Sequence, residues 1–197
     1  MSERHDTEIL LRRLGERLGS AVSHLLTIES LPDEAQAQLV QLEDLGVRLQ
    51  ALERVIGGHG RLTPEHLDLG LAMIQLRAER AHALERAGVT IDGPAEGMDV
   101  RISAGVLKQA LDLALDHMLS LGQQLEAQIG AWGDPPLPTL RLSVALPFVE
   151  AFAASPDALD ELHWSLLSLL CSRCGIRLER QIEAHRVVLR LGFVPVE

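Results

Sequence analysis

The 197-residue sequence contains no tyrosine, three phenylalanines and two tryptophans, so aromatic side chains make up only 3% of it. A platform for single-stranded nucleic acid needs flat aromatic faces on which bases stack, and this chain has too few of them. Positive charge is also scarce. Eighteen basic residues stand against 28 acidic ones, the net charge is −10, and no basic run exceeds Arg12-Arg13. Such a surface repels phosphate backbones, which argues against nucleic acid as a partner. No stretch approaches the ~18 consecutive apolar residues of a membrane span. The amino terminus, MSERHDTEILLRR, is too charged for a signal peptide, so the expectation is a cytoplasmic protein without membrane insertion.

Cysteine occurs twice, as Cys171 and Cys174 in one CxxC. A lone pair without a second ligand pair carries little weight for zinc, and its place in LLSLLCSRCG predicts buried structural thiols. His59, His66, His82, His163 and His185 are scattered and form no HExxH, and GxSxG is absent. No metal, no cofactor and no hydrolase chemistry are expected. Adjacent acids such as Glu43-Asp44 point about 100° apart on a helix and are read as solvated faces.

What is abundant is helical patterning. Leu11, Leu14, Leu18, Ala21, Leu25 and Ile28 alternate by three and four, the stripe of an amphipathic helix. After Pro32 a second stripe runs through Ala35, Leu42, Leu45, Leu49, Leu52 and Ile56, and GGHG at 57–60 stops it. Two helices of similar length joined by a tight turn predict an antiparallel hairpin over residues 1–60. Ile9, Leu10, Val22, Leu26, Leu39, Val40, Val47 and Val55 widen the apolar face beyond what one partner helix covers. A second copy would cover the surplus, so a homodimeric four-helix bundle is expected.

From residue 61 to 197 the rhythm changes. TPEHLDLGLAMIQLRAERAHALERAG reads as a helix with Thr63 as N-cap, Pro64 in its first turn and Gly88 at its end. VTIDGP reads as a short strand, and DVRIS as a second strand or the approach to the next helix. AGVLKQALDLALDHMLSLGQQLEAQIGAW reads as one long apolar helix that GDPPLP breaks. TLRLSVALP is a strand, and SPDALDELHWSLLSLLCSRCG a helix capped by Ser155. IRLERQIE and HRVVLRLGFV form a terminal hairpin. The expected class is α+β: a helical hairpin followed by an α/β sandwich.

This order, with the linker RLTPEHLDL between the hairpin and the sandwich, resembles the cytoplasmic part of bacterial sensor histidine kinases. It is also similar in layout to ChpT-type histidine phosphotransferases. The resemblance implies a dimerising phosphoacceptor hairpin followed by an ATPase-like domain, and a place in two-component signalling. It extends from about residue 8 to 193 and rests on element order more than on signature residues.

The signatures are changed where the resemblance places them. LGERLGSAV aligns with the phosphoacceptor motif, which puts Glu16 in the histidine slot and Arg17 in that of its acidic neighbour. A carboxylate does not replace an imidazole as a phosphoramidate donor. His24 is the runner-up phosphoacceptor, although Leu25 replaces the acid that would activate its ring, and His5-Asp6 lies at the very start of the stripe. VLKQALDLALDHMLSLG aligns with the asparagine-box helix. There the magnesium-binding asparagine falls on His117, the earlier asparagine on Leu113 and the lysine on Ser120. The adenine-reading aspartate falls on Leu146, and the second glycine box reads Glu161-Leu162-His163-Trp164, with only Gly175 surviving. Phosphate cradling needs glycine-permitted backbone N–H groups, and magnesium prefers oxygen ligands.

Three readings follow. The first is a non-catalytic kinase-like dimer that docks a response-regulator receiver domain or a sensor kinase through Arg13, Glu16, Arg17, Ser20 and Ser23. With Leu11 and Leu14 at heptad positions a and d, Glu16 occupies an outward f position within this face. The second is a phosphotransferase that uses His24. The third is a structural or ligand-sensing dimer with a repurposed nucleotide pocket.

Overall fold

The computed structural model describes Thr63–Val196 apart from residues 87–89, 93–96, 123, 146–157 and 184, together with isolated positions between 15 and 53. The chain divides into two compact units, Met1–Leu62 and Thr63–Glu197. In the first, Gly15 and Glu16 are helical, as are Ala35, Leu39, Leu42, Gly46, Val47, Leu49, Gln50, Leu52 and Glu53. A Cβ on Gly15 would lie 3.4 Å from Gln50 Cγ and 3.5 Å from Leu49 Cβ, so the two segments touch there. Leu39, expected in the surplus of the apolar face, is buried with Leu49 and Leu52, while Val47 is 58% exposed.

The second unit is built of β1 (Glu65–Asp68), α1 (Leu69–Arg86), β2 (Thr90–Asp92), β3 (Asp99–Ile102), α2 (Ala104–Leu121), β4 (Gln124–Trp132), β5 (Leu137–Ala145), α3 (Ala158–Cys174), β6 (Arg177–Glu183) and β7 (Arg186–Gly192). The five strands other than β1 and β3 form a sheet in the order β2-β4-β5-β7-β6, parallel between β2 and β4 and antiparallel elsewhere. β1 and β3 form a separate antiparallel pair. Helix α2 packs against α1 on one side and α3 on the other, and rests on β5 and β7. Nine of its eighteen residues are buried, more than one stripe allows, which marks it as the central helix of the domain.

Two expected helices change at their ends. The segment after Thr63 begins as a strand, because Glu65–Asp68 pairs with Ile102–Asp99. The helix starts only at Leu69, and its cap is Asp68, whose Oδ1 accepts the Leu71 N–H at 2.8 Å. A side chain on Gly97 would collide with that carboxylate. Asp68→Ala is expected to lower stability by about 1 kcal/mol, with Asp68→Asn close to neutral, read from urea unfolding midpoints.

The long apolar helix stops at Leu121. Gly122 is extended, and a Cβ there would approach Val144 Cγ2 to 2.7 Å and Ala145 O to 3.1 Å. Residues 124–132 then run back as β4, with Leu125 opposite Val144 and Ala127 opposite Leu142. Leu121, Leu125 and Ile129 satisfy helical spacing, but Leu125, Ala127 and Ile129 satisfy strand spacing equally well. The neighbouring strand decides between them.

At the far end of α3, Gly175 adopts φ +71°, and the Ile176 N–H donates to Cys171 O at 3.0 Å. This is a Schellman closure, with the left-handed glycine after the last helical residue. Cys171 and Ile176 are both buried across it. Gly175 therefore serves a helix end. Burial, reinforced by Cys174 beside it, pushes the Cys171 thiol up to about 12, so it carries no thiolate near neutrality.

Candidate functional site

The position that the sequence aligns with a magnesium ligand lies on α2, facing α3. His117 is fully buried. Its ring meets that of Trp164 on α3 at 5.4 Å between centroids, tilted by 40°. Arg180, reaching over from β6, places its guanidinium 4.3 Å from the centre of the Trp164 ring. Its Nη1 also donates to His117 Nε2 at 3.4 Å. A guanidinium can only donate, so Nε2 is the acceptor in this contact. The three side chains form one interlocked plug of histidine, indole and guanidinium between helix, helix and strand.

This plug does not fit a magnesium ion. The imidazole lone pair at Nε2 is already engaged by a cation, and a divalent ion there would face that guanidinium at close range. No oxygen ligand stands at position 117, and magnesium binds through oxygen in octahedral geometry. Leu113, in the slot of the earlier asparagine, is 1% exposed among core side chains and offers no polar atom. Ser120 donates its hydroxyl to His117 O at 2.7 Å, a local bond to the helix backbone.

On the other side of α2, charged groups join it to α1. Arg80 donates to Asp112 Oδ1 from both Nε, at 3.2 Å, and Nη2, at 2.8 Å, and lies 3.7 Å from Asp116. Lys108, the only lysine of the chain, pairs with Glu79 and approaches Asp112 to 3.7 Å. Below this pair lies an open cavity of about 290 Å³ whose apolar wall includes Leu67, Leu71, Leu76, Leu107 and Leu111.

The sheet face turned away from the helices carries a lattice of ion pairs. Arg186 reaches Glu126 at 2.7 Å, Arg190 reaches Glu183 at 2.5 Å, and Arg141 reaches Glu183 at 3.3 Å. The hydrogen bond from Arg186 holds the Glu126 carboxyl below the ordinary carboxylate value of 4.5, and that from Arg190 does the same for Glu183. A depressed folded-state value means that stability is complete above 4.5 and is lost as pH falls through the folded value. Unfolding midpoints are therefore expected to decline below about pH 4.5, and less steeply in Glu126→Gln. High salt should shrink the difference, because these groups are partly exposed.

Of the residues that sequence reasoning singled out, the structure brings His117 together with Trp164 and Arg180 and places Leu113 in the core. Glu16 is an exposed helical residue beside buried Gly15. Arg13, Arg17, Ser20, Ser23, His5, His24 and Leu146 lie outside the described residues. Trp164 and Arg180 were missed as partners of His117. The available signal was a bulky indole within the segment aligned with the second glycine box.

A central helix between two others, laid on a mixed five-stranded sheet with this strand order, is the sandwich of histidine kinase catalytic domains. The chain has the histidine-kinase fold and layout. Among solved structures it is similar to Acinetobacter baumannii histidine kinase AdeS, at 12% identity and a TM-score of 0.61, over 98% of this chain and 97% of that one. It is similar to full-length ShkA in complex with AMPPNP at 17% identity and a TM-score of 0.55, over 99% of this chain and 45% of that one. The catalytic domain of histidine kinase ThkA matches 66% of this chain and 95% of its own length, with 10% identity and a TM-score of 0.51. No protein-family model matches the sequence, and no curated protein matches it. Among the described residues no helix is long and apolar enough to cross a membrane.

Proposed function

We propose that this chain is a non-catalytic, histidine-kinase-like dimer of two-component signalling. It does not turn over ATP, and it acts by docking a receiver domain or a sensor kinase. The observation that carries this reading is the plug: His117, fully buried, is closed in by Trp164 and Arg180 at the position aligned with the magnesium ligand. With Nε2 of His117 engaged by a guanidinium and Leu113 offering no polar atom, the position supplies no ligand for a phosphate–magnesium unit. What remains of kinase function is recognition. The N-terminal hairpin supplies the dimer, and the exposed Val47 is an apolar side chain that a second copy covers. The docking face is formed by Arg13, Glu16, Arg17, Ser20 and Ser23, with Glu16 exposed in the slot of the phosphoacceptor.

Calorimetric titration with ATP and magnesium is expected to give no heat of binding, and heat at micromolar ATP refutes the non-catalytic reading. Docking is tested separately with purified receiver domains. Glu16→Arg reverses a charge at an exposed position and is expected to weaken receiver binding by tenfold or more at low salt. Unchanged affinity removes Glu16 from the interface. Transfer of an acid-labile phosphoryl group from a phosphorylated receiver to the chain, abolished by His24→Ala, establishes the phosphotransferase reading instead.

A further inference from the structure

β6 ends the five-stranded sheet, and among the described residues no strand pairs with its outer side. Edge strands present a row of backbone donors and acceptors, which proteins blunt with proline, bulges or short length. β6 runs for seven residues, without proline, in continuous register with β7, and the one blunting device it carries is charge, at Arg177, Glu179, Arg180 and Glu183. It also holds Ile182 at 51% exposure.

The β6–β7 hairpin closes on Glu183 and Arg186 with two residues between them. In such a hairpin the closing residues exchange both backbone bonds, and bonded pairs alternate from there along the ladder. Glu183, Gln181, Glu179 and Arg177 therefore direct their backbone groups to β7. Leu178, Arg180 and Ile182 direct theirs outward.

The strand reads Arg-Leu-Glu-Arg-Gln-Ile-Glu, and it is complementary to itself about Arg180. Antiparallel pairing of two copies about that residue sets Arg177 opposite Glu183, Leu178 opposite Ile182 and Glu179 opposite Gln181. The outward-facing Leu178, Arg180 and Ile182 then form the bonded pairs, so parity is satisfied as well as sequence. Arg177 has no ion pair among the described residues and gains a carboxylate across the axis. The one like-charge contact is Arg180 against its own copy, and each guanidinium is already held over Trp164. We infer that a second copy of this chain docks along the β6 edge, antiparallel and centred on Arg180, joining two five-stranded sheets into one. The inference stands independently of the proposed docking through Glu16.

Two variants in the full chain test the register, both in a Cys174→Ser background. Paired across the axis, Glu179→Cys in one copy and Gln181→Cys in the other bring Cα atoms to about 4.5 Å, within disulfide reach. Residue 179 lies about 8 Å from its own copy, outside that reach. Mild oxidation of the mixed variants is expected to give at least tenfold more covalent dimer than either variant alone. Equal yields, or no dimer in the mixture, overturn the proposal.

Sedimentation equilibrium supplies the second measurement. Ile182→Pro removes an outward donor and none directed at β7, and Ile182→Lys opposes Leu178 with a charge. The variant whose circular dichroism matches the parent is expected to lose at least tenfold in the association constant of the step beyond the hairpin dimer. An unchanged constant overturns the proposal, including the case in which this edge pairs with a strand of another protein.

Discussion

Leu113→Asn, which writes the kinase residue back into α2, is expected to destabilise the protein by about 3–5 kcal/mol and to restore no nucleotide binding. Leu113 is 1% exposed, so the substitution removes a packed aliphatic side chain. It also leaves an amide in an apolar site with few partners. Each loss costs about 2 kcal/mol or more, and the one substitution incurs both. Leu113→Met keeps volume and hydrophobicity and should cost less than about 1.5 kcal/mol. Urea unfolding of the three proteins measures the difference. A Leu113→Asn protein as stable as the parent would mean that this position is open to solvent and the pocket is not filled.

Trp164→Ala carries the second large effect, a loss of about 2–4 kcal/mol. Trp164 is half-buried, which keeps its contribution below that of a fully enclosed indole. Two partners nevertheless depend on it: the ring of His117 at 5.4 Å and the guanidinium of Arg180 at 4.3 Å. Phenylalanine retains an aromatic face for the cation and is expected to recover about half of the loss. Arg180→Met isolates the cationic part, because it retains most of the aliphatic stem and removes the charge. If Trp164→Ala and Arg180→Met cost the same alone as together, the stack is one energetic unit. Strict additivity would show that the two side chains act apart. Neither variant is expected to bind ATP, since removing the indole supplies no oxygen ligand for magnesium.

Much of the architecture was legible because it is written in local periodicity. The alternating apolar positions of TLRLSVA, IRLERQIE and RVVLRLG have the period of strands, and they are β5, β6 and β7. The apolar run from Val106 to Met118 is too rich for a surface stripe and becomes the central helix. The ends of elements were less legible. Thr63 and Pro64 form a good local start for a helix, yet the start belongs to Asp68, because β3 recruits Glu65–Asp68 as a strand first. Residues 124–132 carry both periods, and only β5 alongside selects the extended one.

The candidate site followed the same division. That His117, Leu113 and Ser120 stand where the resemblance places nucleotide-site residues could be read along α2 by alignment alone. That His117 meets Trp164 and Arg180 could not. His117 and Arg180 lie 63 residues apart, and nothing in either segment refers to the other. By itself the sequence determined which segments are helices and strands over most of the domain, and which residue types stand at the positions the resemblance aligns with a nucleotide site. Those properties depend on spacing and residue type, which are local. The tertiary structure alone decided what packs around His117, which residue caps α1 and which strand is left at the edge. These depend on side chains and backbones that meet only when the sheet and its helices assemble.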